Sequence, residues 1–203
     1  MRLLALLPLA FALGASPSIA GPLHDAARAG DAALMQQLLR DSADINAQDE
    51  NGETALFAAA LAAQYSTHDQ LLVAGADASI RNNQGLTGLH AAAMSGNANL
   101  VNSLIGGDYH SKRIELDDHD NELGVTPLYV AAEANHANIV AYLFSFGADA
   151  EIPDKAGLTA LTRAGQNGYD EVATLLLRIG SACQEVDPAW KAECDKRKAA
   201  LKK

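Results

Sequence analysis

Aromatic residues make up only 5% of this 203-residue chain, with a single tryptophan. That scarcity excludes a core built on large rings, so the 49% of apolar residues must pack through small and branched side chains. A chain this rich in aliphatics is also not a disordered one. Cysteine is nearly absent. Cys183 and Cys194 are the only two, and their separation of 11 positions is not the gap of a C-x-x-C redox pair. Basic residues are the minority, 15 against 25 acidic, for a formal net charge of −10. A surface of that sign repels nucleic acid and anionic lipid and favours a basic partner. No G-x-S-x-G elbow, P-loop, H-E-x-x-H or dinucleotide fingerprint is present. No catalytic residue is assigned, and nothing in the composition asks for a cofactor or a resident metal.

Long apolar runs are missing as well, apart from residues 3–13 near the start. That run is too short to span a bilayer. It follows Arg2, the only charge in the first twenty residues, and leads to the small-x-small triplet Ser18-Ile19-Ala20. Residues 1–20 therefore read as a signal peptide, with a mature chain from Gly21 that is exported and not membrane-inserted. In an oxidising compartment, Cys183 and Cys194 are expected to form a structural disulfide.

What the chain does have is a repeat. Gly124-Val125-Thr126-Pro127-Leu128-Tyr129 leads to Ala131-Ala132. Weaker copies run Thr54-Ala55-Leu56 to Ala59-Ala60, Thr87-Gly88-Leu89-His90 to Ala92-Ala93, and Thr159-Ala160-Leu161 to Ala164. The threonines are 33, 39 and 33 residues apart, each two places after a glycine, and Leu23-His24 opens an earlier copy. Each threonine reads as a helix N-cap, with Pro127 at a first helical position. A second helix follows with paired apolar residues, such as Leu34-Met35 with Leu38-Leu39 and Ile139-Val140 with Leu143-Phe144. Glycine ends that helix at Gly75 and Gly147. Asp49, Asn82, Asn121 and Asp154 then open a turn three residues before the next glycine.

A period of this length with these residues resembles the ankyrin repeat. The resemblance implies an all-α solenoid of helix–turn–helix units with β-turn fingers. Five units are read at about 21–50, 51–83, 84–122, 123–155 and 156–181. Residues 182–203 are expected to form a capping helix, with Trp190, Cys194 and Leu201 on its apolar side. The second unit is a poor copy. Thr67-His68 stands where an apolar pair belongs, and the glycine expected near Ala63 is missing. This unit is expected to be the least well packed. In the fifth, Ala164-Gly165 replaces Ala-Ala.

The resemblance further implies a protein partner held by the finger tips and the exposed face of each first helix. Leu86, Met94, Leu123, Val125, Glu133 and Leu158 are the expected partner-binding residues, forming an apolar patch rimmed by acids. His24 and His90 occupy the position where the family uses histidine to tie neighbouring loops, and His136 the position after the first helix where it often has a structural histidine. The chain resembles the small periplasmic ankyrin proteins of Gram-negative bacteria. They imply a periplasmic location and a monomeric scaffold, working as an oxidative-stress accessory or a toxin-immunity partner. The rival class is a metal- or small-ligand-binding protein or an enzyme. It would use the six-residue insertion of the third unit, where His110 and His119 lie near Asp117, Asp118, Asp120 and Glu122.

Overall fold

Threonine caps and alanine faces produce the expected helices. The computed structural model describes residues 21–106, 115–119, 122–185 and 188–201. The expected signal peptide lies outside them, as do His110, Asp120 and Asn121. Five helix pairs follow one another, α1 (Pro22–Ala29) with α2 (Ala32–Arg40), then α3 (Ala55–Leu61) with α4 (Tyr65–Val73). The third is α5 (Gly88–Ser95) with α6 (Ala98–Gly106), and the fourth α7 (Pro127–Glu133) with α8 (Ala137–Ser145). The last pair is α9 (Ala160–Gln166) with α10 (Asp170–Arg178), and α11 (Pro188–Ala200) closes the chain.

Odd-numbered helices α1 to α9 pack each on the next as a front row, and α2 to α10 form a back row behind them. The core between them is continuous because no pair can bury its own apolar face. Ala59, Ala60, Ala92, Ala93, Ala131 and Ala132 are all fully buried, which lets front-row helices approach closely. Thr54 Oγ1 accepts from the Phe57 amide at 3.2 Å and Thr126 Oγ1 from the Tyr129 amide at 3.1 Å. Such caps satisfy amides that the helix itself leaves open, at about 1 kcal/mol each. In the back row, Leu71, Leu72, Leu100, Leu104, Ile139 and Leu143 form the expected buried stripe. Leu34 and Phe144 do not join it; they are exposed, Leu34 because its helix begins the row. Among the described residues no helix is long and apolar enough to cross a membrane.

The second pair departs from expectation. Thr67 and His68 are fully buried rather than thinning the stripe. Thr67 Oγ1 donates to the Ala27 carbonyl at 3.1 Å, and His68 Nδ1 lies 3.4 Å from Ser103 Oγ. The turn after each front-row helix is left-handed in all five pairs, at Gly30, Ala63, Gly96, Asn135 and Gly168. Ala63 adopts φ 57° there without the glycine that the other turns or an Asn would supply.

The C-terminal helix α11 packs on α9 and α10 as a cap. Cys183 and Cys194 are disulfide-bonded, with Cα atoms 5.9 Å apart. Trp190 lies so close over Gly165 that a Cβ at that position would overlap its ring. The glycine that breaks the alanine pattern of the front row is therefore the seat of the cap. Gln184 Oε1 accepts from the Thr159 amide at 2.9 Å and Thr162 Oγ1 at 2.7 Å, while its Nε2 donates to the Gly157 carbonyl. Leu201, expected on the apolar side of α11, is exposed instead.

Candidate protein-binding face

Among the described residues three fingers are each built by one Asx side chain. Asp49 Oδ1 accepts from the amides of Asn51 and Glu53, and Asn82 Oδ1 from those of Gln84 and Leu86. Asp154 Oδ1 accepts from Ala156 and Leu158 in the same way. The Asx amide in turn donates across the turn to the carbonyl of Glu53, Leu86 or Leu158. The residue between glycine and threonine is thus stapled on two sides and turned inward.

The staples of Leu86 and Leu158, together with the burial of Val125, correct the expected apolar patch. Leu86 and Val125 are each 3% exposed and Leu158 is 8% exposed. All three pack into the stack rather than facing a partner. Of the six expected contact residues, Leu123 remains exposed, while Met94 and Glu133 are half-buried on the front row. The true tips are the preceding residues Glu50, Asn51, Asn83, Gln84, Glu122, Leu123, Lys155 and Ala156, all exposed. They are joined in a rail of backbone bonds. Asn83 N–H donates to Asn51 O, Glu122 N–H to Gln84 O, and Lys155 N–H to Leu123 O, each at 2.9 Å.

Below the tips, one position of the repeat, held by His24, His90 and Tyr129 in the first, third and fourth pairs, ties the following finger to its helix. His90 Nε2 donates to the carbonyls of Asp118 and Val125 at 3.1 and 3.0 Å, and its Nδ1 accepts from the Thr87 amide. Burial lowers its pKa, which keeps the ring neutral and the tautomer fixed. His24 Nε2 likewise bridges the carbonyls of Ala47 and Glu53, but Gly21 stands where Thr87 would be and its buried Nδ1 has no partner. His136 Nε2 donates to Met94 O at 3.0 Å. His24 and His90 therefore tie loops, as the resemblance implied, and His136 ties its turn to the preceding front-row helix.

Tyr129 fills the same position in the fourth pair and works through its hydroxyl. It donates to Asp154 Oδ2 at 2.7 Å and accepts from Arg163 Nε at 2.9 Å. Arg163 also meets Asp154 Oδ2 at 3.3 Å and Glu133 Oε1 at 3.6 Å. Burial and the Asp154 carboxylate push the Tyr129 hydroxyl well above its usual range, so it stays a donor. At the other end, Glu53 occupies the stapled position that holds Leu86, Val125 and Leu158 elsewhere, and it too is buried. Its carboxylate lies 3.6 Å from Arg28 Nη2. Sequence reasoning missed Arg28, Arg163 and Gln184, and took Glu53 for a finger position facing a partner. Glu53 carried a readable signal, as the one charge in a column of aliphatics.

The described part of the third-unit insertion is committed to structure. Asp118 pairs with Arg81 at 2.7 Å, Asp117 Oδ1 accepts from the Asp149 amide, and His119 Nδ1 lies 2.7 Å from Asp117 O. Among the described residues no three His, Cys, Asp or Glu side chains gather as a metal site.

Stacked helix pairs joined by turn-built fingers define a solenoid scaffold, a class that binds through its surface and not through a pocket. A family model described as ankyrin repeats (3 copies) matches residues 23–115 and 108–187. The chain belongs to the ankyrin-repeat family. Such repeats are protein–protein interaction modules, and no catalytic family matches.

Proposed function

We propose that this protein is an exported binding module that holds a partner protein along the front row and the finger tips. The observation that carries the reading is the rail. Three backbone bonds fix four successive tips relative to one another, so the contact surface is ordered before a partner arrives. Preordering of that kind lowers the entropic cost of association. Beside the rail lie Leu61, Met94 and Glu133 at one register of the front row, half-buried and open on one side. Leu123 adds an exposed apolar tip at 47%.

Export rests on the first twenty residues and on the disulfide, which fits an oxidising compartment such as the bacterial periplasm. The scaffold acts as a monomer, either supporting an oxidative-stress enzyme or neutralising a toxin. Amino-terminal sequencing of the protein recovered from its own cell envelope tests the export step, with Gly21 expected first. Cross-linking in envelope extract, read by mass spectrometry beside the Leu123→Asp/Met94→Asp variant, tests the surface. A protein captured by the wild type and lost from a variant of unchanged helical content supports the reading. The same captured set from both overturns the front face as the docking surface.

A further inference from the structure

The first finger holds a carboxylate that the fold does not use. Glu53 has a side chain only 6% exposed, in a position that the later fingers fill with leucine or valine. No group among the described residues hydrogen-bonds its carboxylate. Arg28, the cation beside it, stays at 3.6 Å from Glu53 and 3.9 Å from Asp25, beyond hydrogen-bond reach of either, with 40% of its side chain in solvent. Asp49, whose Oδ1 staples the finger, leaves its buried Oδ2 without a partner. Two poorly satisfied acids beside one loosely held cation destabilise the free protein. Burial and the nearby Asp49 raise the Glu53 pKa, with Arg28 opposing them, which is the electrostatic trace of the same deficit. A second cation entering from the front face removes it.

We propose that Glu53, backed by Asp49 and flanked by Arg28, forms a subsite for an arginine side chain of the partner protein. The proposal rests on the front-face reading above and adds the partner's chemistry to it. Arg28 occupies in α1 the register that Leu61, Met94 and Glu133 occupy in α3, α5 and α7, so the subsite opens the same row. A planar guanidinium can meet both oxygens of one carboxylate at once, which an ammonium does not. The net charge of −10 steers such a partner toward the protein. Leu61 and Met94 then give the arginine's segment an apolar floor one and two helices further along.

The test uses the whole mature protein and a labelled octa-arginine peptide, read by fluorescence anisotropy at low salt, with octa-lysine in parallel. Glu53→Leu installs the residue type of the other fingers, so it keeps the fold and is expected to raise the melting temperature. It is expected to weaken octa-arginine binding by about tenfold or more, the loss from removing one partner of a desolvated pair. Glu53→Gln gives the same loss without a change of shape. Glu171→Gln, the same charge change on exposed back-row surface, is expected to change binding less than about twofold. Equal weakening by the Glu53 and Glu171 variants means that only net charge is sensed and overturns the subsite, as does unchanged binding. Octa-lysine binding as tightly as octa-arginine overturns the choice of arginine. If the Glu53 variants bind as the wild type does while Leu123→Asp/Met94→Asp still loses the natural partner, the subsite fails and the front-face reading stands.

Discussion

The two ends of this solenoid treat charged groups in opposite ways, while each also buries other polar atoms without a partner, His24 Nδ1 at one end and Ser181 Oγ and Trp190 Nε1 at the other. At the C-terminal end, Asp154, Tyr129, Arg163 and Glu133 form one connected network, Gln184 spends both ends of its amide on the last pair, and a disulfide pins the cap. At the N-terminal end, the Glu53 carboxylate accepts no hydrogen bond from the described residues, Asp49 Oδ2 is buried without a partner, and Ala63 holds a left-handed turn. A stack in which each pair touches only its neighbours permits this. A local deficit weakens its own pair and is not transmitted along the chain. The satisfied end is built to persist. The unsatisfied end is where a partner has most to offer, since groups that water and protein leave unpaired contribute most when a ligand pairs them.

The sharpest way to break the contrast is to remove the cap's anchor. Trp190→Ala is expected to cost about 3–5 kcal/mol, the usual loss for a buried aromatic. Hydrogen exchange should show α9 to α11 losing protection while α3 to α6 exchange as before. Uniform loss along the whole chain would contradict local stability. Trp190→Phe keeps the ring over Gly165 and removes an indole N–H that has no partner, so its effect should stay small.

Next in size is a matched pair of finger substitutions. Asp154→Ala removes two amide staples, the Tyr129 hydroxyl contact and the Arg163 ion pair together. Its expected cost in denaturant unfolding is about 2–4 kcal/mol, since Arg163 is left largely buried. Asp49→Ala removes two staples but also relieves the repulsion that raises Glu53. It should cost about 1 kcal/mol. Equal losses would mean that the two fingers are energetically alike.

The pH dependence of Glu53 sharpens the comparison further. Its folded pKa is raised, by burial first and Asp49 second, with Arg28 pulling the other way. The folded protein therefore binds that proton more readily than the unfolded chain. The penalty is absent below the ordinary carboxylate range and grows as pH rises through the folded value. The melting temperature of Glu53→Gln should exceed that of the wild type at neutral pH, and the gap should close as the pH falls. Glu133 is also raised by its burial, with Arg163 opposing, but it is present in both proteins and cancels. A gap that stays constant with pH would show that Glu53 carries no such penalty.

Much of this fold was legible because its signals repeat in register. Thr54, Thr126 and Pro127 mark helix starts, the alanine pairs mark the close-packed face, and Asp49, Asn82 and Asp154 mark the fingers. The stapled residues were misread because a leucine beside a turn glycine looks like a tip. Its direction is decided by a bond from its own amide back to the Asx side chain, which alternation about the glycine would have revealed. Gly165 was visible as a break in the alanine pattern, but its cause, Trp190, lies 25 positions on and is brought there only by the disulfide-bound cap. Glu53 as a partner of Arg28, and Tyr129 and Glu133 as partners of Arg163, could not be read at all, because they lie on adjacent pairs and no local spacing encodes them.

The smallest effect isolates the backbone of the weaker end. Ala63 sits at φ 57°, in the turn that Gly30, Gly96 and Gly168 make in their own pairs. A Cβ in that conformation crowds the following carbonyl, at a cost of about 1–2 kcal/mol. Glycine removes the clash but adds freedom to the unfolded chain, which returns about 0.4–1 kcal/mol of the gain. Ala63→Gly should therefore stabilise the protein by about 0.5–1 kcal/mol in chemical denaturation, with the change confined to amides of α3 and α4. Asn135→Gly, at the equivalent turn of the fourth pair, should do less, because asparagine tolerates the left-handed region. If both substitutions gave the same gain, strain at the turn would not distinguish the two ends. The difference between them would then lie wholly in Glu53, Asp49 and the network around Asp154.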